Sequence, residues 1–272
     1  MATTKARYQV RALERALQIL DSFSLDRPEM SLSELAVAVD LAPSTALRLL
    51  SILVDYGYVE KSEETDRYCI GVGMFERGSI YIQRTTIESQ AHGPLTALSR
   101  ECNQTASLAV LDRGEIVHIA VVPPDRAIRY YATIGQREMA HCTGLGKALL
   151  SGLPADALDE IVAQRGLPGR TDRTITNIGM LRAHLAKVRE QGYAIDNEES
   201  VIGLRCVAAP ICDDRKRITA AISASGPAAE FDDQAIPQIL RAVQKAASVV
   251  SSRLGNDVQK TDDKTPLAAG SG

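Results

Sequence analysis

The stretch from Ser31 to Tyr58, SLSELAVAVDLAPSTALRLLSILVDYGY, constrains the fold more than any other part of the chain. Ser31 and Glu34 stand at the spacing of a capping box, in which hydroxyl and carboxylate satisfy reciprocal backbone N–H groups at a helix start. Leu32, Leu35, Ala36 and Val39 follow at helical spacing, so a helix of about two turns is expected. Leu41-Ala42-Pro43 ends it, and Pro43 suits the first position of a second helix, where its missing N–H costs nothing. On that helix Leu47, Leu50 and Val54 share one face, while Ser44, Arg48, Ser51 and Asp55 share another. An ordinary amphipathic hairpin has the same pattern. Two short helices joined by a tight turn also make a helix-turn-helix, whose second helix enters the DNA major groove N-terminal residues foremost. Ser44, Thr45 and Arg48 are the side chains so presented: hydroxyls for phosphates or bases, and a guanidinium able to grip guanine bidentately.

The next residues favour the DNA reading. Tyr58–Lys61 and Arg67–Ile70 are strand-like around the polar turn 62–66, and a hairpin directly after a recognition helix is the wing of a winged helix-turn-helix. Lys61 and Arg67 then sit where phosphates pass, and Arg11 lies in a basic N-terminal arm. Charge pulls the other way: the chain is at −3, and residues 1–90 carry 10 basic and 13 acidic side chains. A DNA-binding unit with so little basic footprint implies modest affinity per copy and a need for dimerisation.

Ahead of this unit, Val10, Leu13, Leu17, Leu20 and Phe23 predict a first helix running to about Ser24, its apolar stripe covering the helix pair; residues 25–30 read as a loop. After the wing, a linker helix is expected over Phe75–Ser89, stopped by His92-Gly93-Pro94. Beyond it helices and strands mix. Helices are predicted at Leu95–Cys102, Gly146–Leu153, Ala155–Gln164, Met180–Gln191 and Ile236–Leu254. Strands are predicted at Thr105–Asp112, Ile116–Val122, Arg126–Thr133, Tyr193–Asn197, Cys206–Ile211 and Ile218–Ser225. This order predicts an α+β domain with an antiparallel sheet, not a doubly wound parallel one. The domains are then 1–72 (winged helix-turn-helix), 73–90 (linker helix), 91–255 (a GAF-like sensor domain) and 256–272 (a polar, disordered tail).

At 272 residues, with 45% hydrophobic and 24% charged residues, the chain reads as a soluble globular protein. No apolar run approaches the ~20 residues that span a bilayer, and the N-terminus lacks a signal peptide's apolar core. A cytoplasmic protein without membrane partners is expected. Five scattered cysteines without a CxxC pair argue against a disulfide framework or a zinc finger. No metal and no cofactor is expected.

Residues 141–148, HCTGLGKA, invite an active-site reading but fail the phosphate-loop and dinucleotide fingerprints. What remains is a glycine-containing turn opening a helix, with N–H groups at Gly144 and Leu145 able to hold an anion. Ser223 and Ser225 share one face of an otherwise apolar strand, and buried hydroxyls need partners. Two hydroxyls at this spacing in an apolar strand favour a ligand pocket over satisfied core groups, which remain the alternative. Catalysis through Cys142 or Cys206 lacks a base in place, since neighbours such as His141 and Cys142 point apart.

Both domains resemble the IclR family of bacterial transcriptional regulators. The resemblance rests on ALERALQILDSFS, SLSELAVAVDLAPSTALRLLSILVDYGYVEK, TGLGKALL, GYAIDNEESVIGLRCVAAPI and AAISASGP, in that order. It implies a winged helix-turn-helix, a linker helix and an effector-binding domain, in dimers or dimers of dimers on a pseudo-palindromic operator in double-stranded DNA. Many members have a basic residue where this chain has Pro43, so the operator sequence does not carry over. The resemblance places effector contacts at the backbone of Gly144 and Leu145 and at the side chains of Asp196, Leu204, Cys206, Ser223 and Ser225. Tyr130 or Tyr131 adds an apolar wall. The chemistry of this set implies a small organic acid or an amide-type relative, acting on a repressor more readily than an activator. A hydrolase-like enzyme with an N-terminal interaction domain is the alternative.

Overall fold

The structure of the protein is a computed structural model that describes residues 10–84, 86–127, 129–130 and 132–260. It divides into two compact units, up to Thr85 and from Thr86 onwards. The basic arm at Lys5 and Arg7, Tyr131, and the tail beyond Lys260 lie outside the described residues.

The first unit contains α1 (Arg11–Asp21), β1 (Glu29–Met30), α2 (Leu32–Ala38), α3 (Pro43–Asp55), β2 (Val59–Lys61), β3 (Tyr68–Ile70) and α4 (Val72–Arg84). The capping box forms: Ser31 N donates to Glu34 Oε2 at 2.7 Å, and Glu34 N to Ser31 Oγ at 3.3 Å. Pro43 opens α3. The three strands pair antiparallel in the order β1-β3-β2, so the expected loop at 25–30 yields a short third strand. Two apolar faces differ from expectation. On α3 the buried residues are Ala46, Leu50 and Leu53, while Leu47 is exposed. On α1 Ile19 is the buried residue, with Leu20 and Phe23 partly packed; Val10, Leu13 and Leu17 are each more than half exposed. Ile19, Leu35, Val39, Leu50, Val59 and Tyr68 form the core. α1 also ends at Asp21, short of Ser24.

The second unit begins with α5 (Thr86–Cys102). The predicted stop at His92-Gly93-Pro94 does not occur, and the helix runs through it. Proline removes the N–H that would serve the carbonyl four residues back, here that of Gln90. Arg253 Nη1 donates to that oxygen at 2.8 Å instead. Then come β4 (Thr105–Asp112), β5 (Glu115–Val122), β6 (Arg137–Met139), α6 (Gly144–Leu150), α7 (Ala155–Arg165) and α8 (Ile178–Gln191). β7 (Ala194–Asn197), β8 (Leu204–Cys212), β9 (Ile218–Pro227) and α9 (Ala235–Lys260) complete it. The last helix passes Gly255, where the tail was expected to begin.

Six strands form one antiparallel sheet in the order β6-β5-β4-β9-β8-β7. The turn between β4 and β5 has Arg113 and Gly114 both at positive φ (51° and 82°), as a tight hairpin requires. The described residues of the strand predicted at Arg126–Thr133 form a loop instead, and the third strand is β6. Side chains hold that loop instead of a ladder. Thr105 Oγ1 donates to Tyr130 O at 2.6 Å, and Arg126 donates to both carboxylate oxygens of Glu230. One face of the sheet packs under α5 and α9 through Leu95, Leu98, Leu108, Ile222 and Val243. The other packs under α6–α8 through Ala109, Leu149, Leu181, Leu185, Ala208 and Ala221. No single helix among the described residues is long and apolar enough to cross a membrane.

Candidate functional site

In the first unit, Ser44, Thr45 and Arg48 lie exposed on the first turns of α3. Ala42 precedes the helix without a side-chain cap; Pro43 has no N–H and Thr45 N donates to Ala42 O at 2.9 Å, which leaves the Ser44 N–H open to an acceptor. The Arg48 side chain makes no hydrogen bond or ion pair among the described residues. Arg11 is exposed on α1. The wing cations are already engaged within the chain. Lys61 pairs with Asp66 at 2.5 Å and sits over the Tyr68 ring. Arg67 Nη2 donates to Glu34 Oε2 at 2.8 Å and to Glu29 O at 3.0 Å. Glu34, serving both the cap and this bond, has its carboxyl held below the usual range, first by the Ser31 N–H.

In the second unit the predicted effector residues come together on the sheet face beneath α6. Antiparallel register lines up Asp196 on β7, Cys206 on β8, Ser225 on β9 and Thr105 on β4 in one row. The adjacent row holds Ala208, Ser223 and Ser107. Leu204 lies on the same face as Cys206, two residues along. The start of α6 presses onto this floor: a Cβ on Gly144 would stand 2.9 Å from Cys206 Sγ. One on Gly146 would stand 2.1 Å from Ala140 O. Only glycine permits either approach. Thr143 caps the helix, accepting from Gly146 N at 3.1 Å, so Gly144 and Leu145 carry the first N–H groups lacking an intrahelical partner. Both are buried.

Asp196 is buried and accepts from Glu199 N (2.7 Å), Ser200 N (3.4 Å) and Ser200 Oγ (2.5 Å). An ionised carboxylate offers about four acceptor positions, so one remains. Burial pushes its pKa up to about 6, against the lowering effect of the Ser200 and Glu199 bonds. Behind it lies a pair that sequence reasoning left out. Lys147, fully buried on α6, donates to Ile195 O at 2.6 Å and forms an ion pair with Glu199. Tyr130 OH donates to Glu138 Oε1 at 2.7 Å. Also unforeseen were Ser107, His118 and Glu138. Ser107 Oγ, Ser223 Oγ and both ring nitrogens of His118 are buried without a hydrogen-bond partner among the described residues.

The nucleophile candidates are placed for packing. Burial pushes the Cys142 and Cys206 thiols up to about 12, far from the thiolate that attack requires. His141 Nε2 is bonded to Pro168 O at 3.1 Å, and Cys142 Sγ to Met139 O.

The model of the IclR helix-turn-helix domain matches residues 12–63, and that of the bacterial transcriptional regulator IclR C-terminal domain matches residues 79–252. This chain belongs to the IclR family. As an IclR-family transcriptional regulator it is 34% identical over 246 residues to the HTH-type transcriptional regulator XynR of Escherichia coli, covering 90% of this chain and 98% of that one. It is 34% identical over 257 residues to the transcriptional repressor IclR of the same organism, covering 94% of each. Its fold is shared by an IclR homolog from Microbacterium hydrocarbonoxydans complexed with 4-hydroxybenzoate, at a TM-score of 0.79 and 23% identity over 89% of this chain and 98% of that one. The IclR-family assignment makes the first unit the DNA-binding domain and the second the effector-binding domain, and it sets the hydrolase-like alternative aside.

Proposed function

We propose that this regulator reads its operator through Ser44, Thr45 and Arg48 of α3, and that a small organic acid bound under α6 sets its grip on DNA. Arg11, Lys61 and Arg67 face the phosphates; the last two exchange Asp66 and Glu34 for phosphate, or share them. The single observation that carries the effector reading is the buried polar floor at Asp196, Ser223 and Ser225, with Ser223 Oγ lacking a hydrogen-bond partner among the described residues, since a folded protein seldom leaves such groups unsatisfied. The N–H groups at Gly144 and Leu145 and the hydroxyls of Ser223 and Ser225 donate towards the carboxylate. Asp196 accepts from a hydroxyl or amide, and Leu204, Cys206 and Tyr130 supply walls. The 4-hydroxybenzoate bound by the Microbacterium homolog supports an acid of this size.

With little positive charge per protomer, two copies on a two-fold operator supply the affinity one lacks, and the protein acts as a dimer or dimer of dimers in the cytoplasm. Repression with release by the acid is the output, as the relatives named repressors support. Effector binding needs to differ between DNA-competent and incompetent arrangements by about 1–3 kcal/mol. The test is fluorescence anisotropy with labelled DNA from upstream of the protein's own gene, against scrambled competitor and a salt series. Binding that survives competitor, is lost in Arg48→Ala and is released by an organic acid supports the reading. Equal binding to scrambled DNA across genomic fragments defeats it.

A further inference from the structure

β4 and β5 slip register between Leu108 and Ala109: Leu108 stands opposite Ala120, but Ala109 stands opposite His118, leaving Ile119 as the extra residue. A β-bulge of this kind re-aims the side chains that follow it. Without it Ile119 would face the polar floor and His118 the opposite side of the sheet. With it, Ile119 packs among the residues under α5 and α9, and His118 joins Ser107 and Ser223 on the effector face. Glu138 on β6, opposite Ile116, completes a second group there. Its Oε1 is occupied by Tyr130 OH (2.7 Å) and Gln136 Nε2 (2.9 Å). Its Oε2 lies 3.7 Å from His118 Nε2, too far for a hydrogen bond, but a third polar atom about 2.8 Å from each can bridge them. His118 is 2% exposed, and neither ring nitrogen has a hydrogen-bond partner among the described residues, Glu138 being its ion-pair neighbour. Such a group costs stability unless something satisfies it.

We infer that Ser107, His118 and Glu138 form a second polar pole of the effector site, and that the effector is a carboxylic acid bearing a hydroxyl several bonds from its carboxylate. This rests on the effector reading above. A hydroxyl matches the gap because it donates to Glu138 Oε2 while accepting from an imidazole N–H. A second carboxylate is repelled by Glu138, whose ionised form is favoured despite burial by the His118 and Tyr130 interactions. An ammonium has only donors and leaves the imidazole N–H unpaired. β9 and β5 are two strands apart, about 10 Å. A carboxylate at Ser223 and Ser225 and a hydroxyl at His118 therefore belong to opposite ends of one molecule, such as a para-hydroxylated ring or a chain ending in a hydroxyl.

The test is calorimetric titration of the full chain with two matched pairs: 4-hydroxybenzoate with benzoate, and 6-hydroxyhexanoate with hexanoate. Wild type prefers the hydroxylated acid of at least one pair by about tenfold or more, since a site built to pair a hydroxyl rejects the analogue without one. Glu138→Gln and His118→Ala each erase most of that preference. Should His118→Ala fail to melt cooperatively, Ser107→Ala takes its place beside Glu138→Gln. Equal affinity for both acids of each pair in wild type overturns the inference and leaves the acid reading standing, as does a preference that the variants leave intact. Failure of all four acids to bind overturns both.

Discussion

Asp196 stands to make the protein less stable at neutral pH than it would be with a neutral side chain there. Its folded pKa is raised from 3.8 to about 6, chiefly by burial. A group raised on folding contributes stability that is fully present below its unfolded pKa, near pH 4, and is lost as pH climbs through its folded pKa, near 6. The shift is roughly two units at 1.36 kcal/mol each, so the ionised carboxylate costs about 3 kcal/mol at pH 7 and above. Asp196→Asn removes the charge at every pH, keeps a carbonyl oxygen for the Glu199 N–H, and turns an amide towards Ser200 Oγ, which can accept. For a domain of this size about 2–4 °C of melting temperature accompanies each kcal/mol, so a gain of about 6–12 °C in the effector unit is expected at pH 7.5. The chain has no tryptophan, which makes scanning calorimetry the assay, run on wild type and variant from pH 4 to 8. The two melting temperatures should meet near pH 4 and separate through pH 6. A difference that stays constant across this range, or a less stable variant at pH 7.5, refutes the reasoning. The same variant should bind acids more weakly, the cost in stability being the counterpart of keeping an acceptor in the floor.

Lys147→Met leaves Glu199 buried without its cation and should cost about 3–5 kcal/mol, most of it recovered in Lys147→Met/Glu199→Leu; calorimetry of both checks it, and a double variant no better than the single one contradicts it. Gly144→Ala drives a methyl to 2.9 Å from Cys206 Sγ and should cost about 1–3 kcal/mol, relieved when Cys206→Ala is added. Arg253→Ala removes the donor at Gln90 O and should cost about 1 kcal/mol. In a Pro94→Ala background the restored N–H serves that carbonyl and the penalty should shrink, which a double-mutant cycle by denaturant titration measures.

Local chemistry was legible in the sequence wherever neighbours in the chain decide the outcome. The Ser31–Glu34 box, Pro43 at the head of α3, and the Arg113-Gly114 hairpin needed no knowledge of distant residues. Errors arose where a remote partner decides. Gly93-Pro94 reads as a stop because the donor that rescues it, Arg253, is far along the chain. Arg126–Thr133 has strand-forming residues, but its described residues form a loop held by the side chains of Thr105 and Glu230. On α1, Leu13 and Leu17 read as core by spacing, yet the face that meets α3 is centred on Ile19. The effector floor was half legible. Asp196, Cys206, Ser223 and Ser225 lie at period-two positions, and the family resemblance points to the same residues. Ser107 and Glu138 are visible only through cross-strand register, and His118 reaches the floor through a bulge that period-two reading assigns to the wrong side.

The strand order also governs the sequence of events during synthesis. β4 lies between β5 and β9, with Thr105 opposite Ser225, and β9 is the last strand made. The first unit is complete once residue 85 has emerged and can fold while translation continues. The sheet cannot close around β4 until nearly the whole chain is out, which at about 5–20 residues per second leaves its central strand open on one edge for some seconds. During that interval a nascent chain carries a finished DNA-binding unit ahead of a sensor that cannot yet be assembled.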